Sequence, residues 1–530
     1  MTTTLPARQR AASSSAASPR IRRLANRLPA GDFWLAATLV VTVVGLQGWN
    51  IANYPGIAGN DDEGTYLSQA WAIRNGFGLA HYTYWYDHPP LGWIQLAGLS
   101  WLPPLLLPDA PAVAAGRLVM LVFTGASVAL LYTIARRLEF TRWAAALVVL
   151  LFGLSPLAMT FQRQIFLDNV AVTWMLAAFT LALSPRKHLW SHVGAGACAA
   201  VAVLSKETML VVVPAVLFAL WQNTHPTTRS FSMVGFFWCG FALLGITYPI
   251  YAVLKGELVP GPGHVSLVEG IDFQLFGRKG SGSVFDPASP AHDVLNGWMY
   301  HDPLFLTAGV VSVIVCAVIP RLRAVAIAGI LIVLVALRPS GYLPAMYVIQ
   351  ALPFFALCVA GLVQVPVRVA LSGRKVLRTL GVAATAAAVG VVMLGLVPRW
   401  FDSGRHALTA SSNEQFADAS RWVQQHIDNP SNTRILVDDN LWLDMESIGF
   451  RAPTGVIWFN KLDLDPAVAA TAPRGWRDID YLISTPGLRR ALEQSSLPTV
   501  QHVVENSRVV ASFGTGSEVI EIRQVVKGAI

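Results

Sequence analysis

The sequence predicts a polytopic α-helical membrane protein of about eleven spans with a C-terminal α/β domain outside the membrane. Three observations predict this class. Of 530 residues, 54% are hydrophobic and 13% charged, and the mean hydropathy is +0.50, which excludes a soluble enzyme with one anchor. The apolar residues fall into long runs separated by short basic loops. From about Arg399 those runs stop and soluble patterning begins.

The first 32 residues contain Arg8, Arg10, Arg20, Arg22, Arg23 and Arg27 in a Ser/Ala-rich stretch that cannot build a core, so they read as a disordered cytoplasmic arm. The apolar run that follows is long enough to span and has no small-residue cleavage site after it, which argues against a cleaved signal peptide. Candidate spans fall near 33–51, 112–135, 143–160, 168–184, 192–205, 207–221, 231–254, 303–320, 324–338, 341–363 and 379–398, together making a membrane domain over 33–398. An inside N-terminus puts Arg136, Arg137, Arg142, Arg186, Lys187, Arg229, Arg321, Arg323, Arg368, Arg374, Lys375 and Arg378 on the cytoplasmic side. Lys206, Lys255, Arg278, Lys279 and Arg338 are left outside. The net charge of +8 therefore reflects orientation rather than nucleic-acid binding. The break at Ser205-Lys206-Glu207 decides the parity, since one long kinked helix there would move the C-terminus inside.

Three pieces lie outside. Loop 52–111 carries Trp71, Trp85, Trp93 and Trp101 and suits amphipathic segments lying along the interface. Loop 255–302 is rich in Gly and Pro; its Gly277-Arg278-Lys279-Gly280-Ser281-Gly282-Ser283 lacks the ending of a phosphate-binding P-loop, and it reads as a mobile flap. The tail 399–530 predicts a helix over 413–427, strands at 434–437, 455–459 and 481–484, and a hairpin of 508–513 with 518–523 around Gly514-Thr515-Gly516. Its length, about 130 residues, is enough for one independent α/β core. Cys198, Cys239, Cys316 and Cys358 all lie in apolar stretches, so no disulfide is expected to brace the outside parts.

Chemistry concentrates in two polar islands of the first outside loop. Asn60-Asp61-Asp62-Glu63-Gly64-Thr65-Tyr66 follows the first span, and Tyr86-Asp87-His88-Pro89-Pro90-Leu91 comes later in the same loop. Carboxylates beside a bilayer are costly unless solvated, paired or functional. Arg163 and Asp168 fall at the outside junction of the third and fourth spans, Lys206 and Glu207 at that of the fifth and sixth, and Arg338 between the ninth and tenth. Cations on one wall and carboxylates on the other suit an anionic leaving group and a base. Each feature also has a structural reading. The acidic triplet could open a helix, while Arg163 with Asp168 and Lys206 with Glu207 could be structural ion pairs. Tyr82, Tyr84, Trp85, Tyr86, Tyr342 and Tyr347 could stack on sugar or anchor at the interface. Asp87 and His88 could hold a divalent cation with a triplet carboxylate.

At these residues the chain resembles the family 39 glycosyltransferases of the GT-C superfamily, which include protein O-mannosyltransferases and lipid A aminoarabinose transferases. Asp62-Glu63-Gly64-Thr65-Tyr66 is similar to the family's Asp-Glu-x-x-Tyr, and Asp87-His88-Pro89-Pro90-Leu91 to its carboxylate-x-Pro-Pro-Leu element. Leu167-Asp168 and Leu204-Ser205-Lys206 resemble two further family positions, with Glu207 where many relatives have glycine. The resemblance implies an inverting transferase of the bacterial plasma membrane, moving a sugar from a polyprenyl-phosphate donor to an extracytoplasmic glycan, glycolipid or protein. Asp62 is then the general base, and Lys206, Arg163 and Arg338 meet the donor phosphate. Asp61, Glu63, Tyr66, Asp87, His88, Asp168, Glu207 and Tyr342 are the expected substrate-binding set. The competing class is a secondary transporter or lipid flippase, which would also use membrane-edge carboxylates and cations.

Overall fold

The computed structural model describes residues 30–59, 62–79, 86–262, 264–339, 341–371 and 375–527. The expected basic arm up to residue 29, Asp61, and the aromatics Tyr82, Tyr84 and Trp85 lie outside these residues.

Every expected apolar segment is helical, but the lengths vary. Among the described residues, five helices are long and apolar enough to cross a bilayer, and Pro290–His301 with Pro303–Cys316 forms a further pair bent by 108°. Five more apolar helices are shorter: Arg142–Leu154, Leu167–Ala182, Leu189–Ser205, Glu207–Asn223 and Arg323–Ala336. A 16-residue helix such as Leu167–Ala182 extends about 24 Å, less than a bilayer core of about 30 Å. These helices end where the sequence supplies caps and breaks. Ser155 stops the helix Arg142–Leu154 and caps the next one, which begins with Pro156. Lys206, in extended conformation, separates Leu189–Ser205 from Glu207–Val212.

Helix ends segregate by charge. At one end, Asp32 is buried and receives Arg142 Nε (2.8 Å), Tyr132 Oη (3.0 Å) and Arg136 Nη2 (3.4 Å). Arg368 Nη2 donates to the Glu139 carbonyl at the same end (2.7 Å), and Glu139 pairs with Arg321. All these cations belong to the set assigned to the cytoplasmic side. The opposite end gathers the acidic islands, the break at Lys206, and the segment 281–291. That segment is pinned rather than loose: Ser281 N donates to the Gly341 carbonyl and Leu343 N to Ser281 Oγ, both at 2.9 Å.

Beyond the helices lies a five-stranded sheet of order β2-β1-β3-β5-β4, built from β1 (Ile435–Val437), β2 (Val456–Trp458), β3 (Tyr481–Ser484), β4 (Ser507–Phe513) and β5 (Ile520–Val525). β1 runs parallel to β2 and β3, while β5 is antiparallel to β3 and β4. Gly514 and Gly516 take positive φ (83° and 61°) in the β4–β5 turn, where a side chain would be strained. One face of the sheet buries Leu436, Ile457, Phe459, Leu482 and Val500 in a core of its own. The other face departs from the expected independence: Ile435, Val437, Ile483 and Ile522 share a core with Ile57, Tyr66, Ala70 and Trp93 of the first outside loop. That loop is apolar on two sides and needs the sheet to cover one of them.

Candidate functional site

The first island opens the helix Asp62–Arg74, with Asp62 and Glu63 in its first turn and Arg74 in its last, as the helix dipole favours. Its residues then divide the work. Glu63 is fully buried and accepts both Arg117 Nε (2.8 Å) and Nη2 (2.6 Å), plus the Ile165 amide (2.9 Å). All its strong acceptor capacity goes to the scaffold, so it is a bracket rather than the expected substrate contact. A Cβ on Gly64 would lie 2.4 Å from the Asp439 backbone, and Thr65 N and Oγ1 donate to Asp439 Oδ2 (3.1 and 2.6 Å). Gly64-Thr65 thus docks the C-terminal α/β layer. Asp62 is partly exposed and Tyr66 is buried in the same helix.

The second island reaches the same place. Pro89-Pro90 lead into the helix Leu91–Leu99, and Gly92 lets that helix press against Leu167 and the Ser205 carbonyl, which a Cβ would meet at 2.7 and 3.1 Å. Gln95 Nε2 donates to Ser205 Oγ (3.0 Å) and is itself oriented by Trp174 Nε1 (2.6 Å). His88 is thereby carried to the break at Lys206. Lys206 is 4% exposed, with Nζ 3.0 Å from His88 Nε2, while His88 Nδ1 lies 3.0 Å from Glu207 Oε2. An ammonium only donates, so Nε2 accepts and the ring proton sits on Nδ1, donated to Glu207. A neutral imidazole bridges cation and carboxylate.

Tyr66 is the centre of the cluster. Its ring meets His88 edge-on at 6.0 Å and Trp93 at 6.3 Å. Burial holds its phenol well above the ordinary range, and the charges of Asp62, Asp168, Glu207 and Asp87 all reach it and push the same way. Asp168 is buried and accepts Gln350 Nε2 (2.6 Å), which also lies 2.7 Å from Thr208 Oγ1. The structure therefore brings Asp62, Tyr66, His88, Asp168, Lys206 and Glu207 together.

Other expected residues sit elsewhere. Arg163 is fully buried and donates to the carbonyls of Leu46 (2.8 Å), Ala407 (3.3 Å) and Tyr54 (3.4 Å). Through Nη1 and Nη2 it ties three chain segments together, while its buried Nε has no hydrogen-bond partner. Arg338 is exposed and packs over Gly341. Tyr342, 39% exposed, lies under Arg278 at 3.6 Å. Asp87 and His88 do not fit a divalent ion: both ring nitrogens are engaged, one of them by an ammonium, and the Asp87 side chain is exposed.

The segment read as a flap closes over the second island. Gln274 Nε2 donates to the Asp87 carbonyl (2.9 Å), Arg278 Nη1 to Gln274 Oε1 (3.0 Å), and Tyr86 Oη to Glu257 Oε2 (2.5 Å). Beside it opens a cavity of about 800 Å³ lined by Asp87, His264, Glu269, Phe273, Asp465 and Pro466. Lys461 stands behind it; burial lowers its ammonium to about 8 although Asp465 and Asp87 pull the other way. Gln350 and Lys461 were not singled out from sequence, and Arg278 was read only as an outside cation of the flap. An amide within an apolar helix is the signal that would have found Gln350, although Gln364 of the same helix carries it too.

The family model for dolichyl-phosphate-mannose-protein mannosyltransferase matches residues 88–251. No curated protein matches the sequence. Among solved structures, ArnT from Cupriavidus metallidurans bound to undecaprenyl phosphate superposes with a TM-score of 0.56 at 15% identity, covering 93% of this chain and 98% of that one. The oligosaccharyltransferase of Archaeoglobus fulgidus, in complex with Zn and sulfate, gives 0.53 at 13% identity, covering 92% and 72%. The identities are low enough that these two matches speak to fold, and the family match adds the residues from His88 through the second island, Asp168 and Lys206.

Proposed function

We propose that this chain, which shares its fold with ArnT and the archaeal oligosaccharyltransferase, is a GT-C membrane glycosyltransferase, an inverting transferase that moves a sugar from a polyprenyl-phosphate donor to an acceptor hydroxyl on the outer face of the plasma membrane. The observation that carries this reading is the convergence on Tyr66 of Asp62, Asp168, Glu207 and Asp87, with Lys206 and His88 alongside. One enclosed cation beside a partly exposed carboxylate is what transfer from a phosphate requires.

In this mechanism the donor phosphate lies against Lys206, and the acceptor hydroxyl lies on the opposite side of the anomeric carbon, near Asp62. The Asp62 carboxylate takes the hydroxyl proton as the new glycosidic C–O bond forms. The bond from the anomeric carbon to the phosphate oxygen breaks, and the polyprenyl phosphate leaves with the electron pair. Inversion follows from attack opposite the leaving group. His88 and Glu207 hold Lys206 in place, and Asp168 with Gln350 closes the floor. The 800 Å³ cavity between Asp87, the Phe273 segment and Asp465 gives the acceptor its approach. The bound polyprenyl phosphate of the similar ArnT structure supports the choice of donor.

The test is incubation of purified protein with a panel of polyprenyl-phosphate sugars. Release of polyprenyl phosphate with transfer or hydrolysis of one sugar is expected. Intact donors across the panel, with the lipid sugar instead moved between leaflets of a vesicle, would replace the enzyme by a flippase.

A further inference from the structure

A second cavity, of about 520 Å³, lies on the other face of the helix Asp62–Arg74, between that helix, the Pro-rich segment 103–108 and the helix Asp439–Ile448. Its size falls among small-molecule sites, at about 300–1,000 Å³. Leu67, Leu96, Pro103, Leu107 and Val119 make most of the wall apolar. Three further observations distinguish it from a packing gap. Asp444 is 8% exposed, gives Oδ1 to the Ala112 amide (2.8 Å), and has no hydrogen-bond partner for its buried Oδ2. A buried carboxylate oxygen without a donor is uncommon and costly, and a ligand donor would satisfy it. Next, charge is divided between the walls: Asp444 and Glu446 stand on one helix, and Arg74, exposed and hydrogen-bonded to the Ser100 carbonyl (3.3 Å), stands on the other. Finally, Trp101, Leu105 and Leu106 are 55%, 67% and 56% exposed on the adjoining short helix, an apolar face that belongs in a bilayer interface.

We propose that this cavity binds one zwitterionic, amine-headgroup phospholipid, entering from the bilayer beside Leu105 and Leu106. The acyl chain occupies the apolar wall, the ammonium donates to Asp444 Oδ2 with Glu446 close by, and the phosphate meets Arg74. The charges match this headgroup: an anionic lipid without an amine would bring no cation to Asp444 and would face two carboxylates. The site is independent of the sugar-transfer reading and shares with it the helices Asp62–Arg74 and Leu91–Leu99.

Photo-crosslinking of the full chain in nanodiscs tests it, using phosphatidylethanolamine and phosphatidylglycerol probes carrying a diazirine in the acyl chain, with mass spectrometry of the labelled peptides. The expected result is labelling of segment 103–108 several-fold above that of the apolar segment 392–396, stronger with the ethanolamine probe and competed by unlabelled phosphatidylethanolamine. Leu107→Trp should remove the excess by filling the cavity, and Asp444→Asn with Glu446→Gln should erase the preference between probes. Labelling no greater than at 392–396, or not competed in the unmodified protein, would overturn the site; equal labelling by both probes would overturn the headgroup assignment.

Discussion

At the scale of single residues, adjacent acids of one motif have opposite fates. Asp62 is partly exposed beside Tyr66, whereas Glu63, the next residue, is sealed against Arg117. Asp62→Asn keeps size and hydrogen bonding but cannot take a proton, so turnover should fall by roughly 100-fold or more while donor binding persists. Normal turnover in that variant would remove Asp62 from the base role. Glu63→Ala fails differently, because it strands a buried guanidinium and should cost about 3–5 kcal/mol of stability, read as a lowered melting temperature in detergent. Lys206→Ala removes the enclosed cation of the cluster, and donor affinity should drop by about tenfold or more, since charge-assisted contacts to phosphate are the strong ones. Unchanged affinity would leave Lys206 a structural partner of His88 and Glu207.

At the scale of elements, function depends on breaks in helices. The helix Leu189–Ser205 ends one residue before Lys206, and the extended conformation there turns the ammonium toward His88. Gly92 brings a second helix against the same break. Gly64 does the corresponding job for the C-terminal layer, because the helix Asp62–Arg74 touches the Asp439 backbone where a Cβ would stand. Gly64→Ala should therefore displace the two elements at a cost of about 1–3 kcal/mol. Limited proteolysis reads this as faster cleavage between the sheet and the membrane helices, with a loss of activity that Gly64→Ser does not rescue. Cleavage at the parental rate would mean that the contact tolerates a methyl group.

At the scale of the whole molecule, the helix ends sort into one basic end, tied by Asp32 and Glu139, and one end that carries the site and the sheet. From the positive-inside rule we propose that the sheet and the C-terminus lie outside. A cysteine introduced at Ser431, which is exposed, should react with a membrane-impermeant maleimide in intact cells. Labelling only after lysis would invert the topology. The sheet also shares a core with the first outside loop, so deleting the tail from 399 should expose Tyr66, Ala70 and Trp93 and destabilise the loop, rather than release an independent module.

Hydropathy is a property of the chain read in order, so the sequence alone determined the membrane class, the apolar segments and the strands of the tail to within a few residues, while charge bias gives the sidedness of the basic loops as an expectation. β3 at 481–484 and the Gly514–Gly516 turn needed only local pattern and backbone freedom. The two islands, with Asp168 and Lys206, were legible because charge beside apolar sequence is costly without a role. What only the tertiary structure decided is which charge is sealed into the scaffold. Glu63 and Arg163 carry the same local signal as Asp62 and Lys206, and their partners, Arg117 and the carbonyls of Leu46, Tyr54 and Ala407, come from distant parts of the chain. The same holds for the covering of the loop by the sheet and for Gln350 beneath Asp168. A side chain's partner is set by three-dimensional proximity, and that proximity arises from how the helices break and pack.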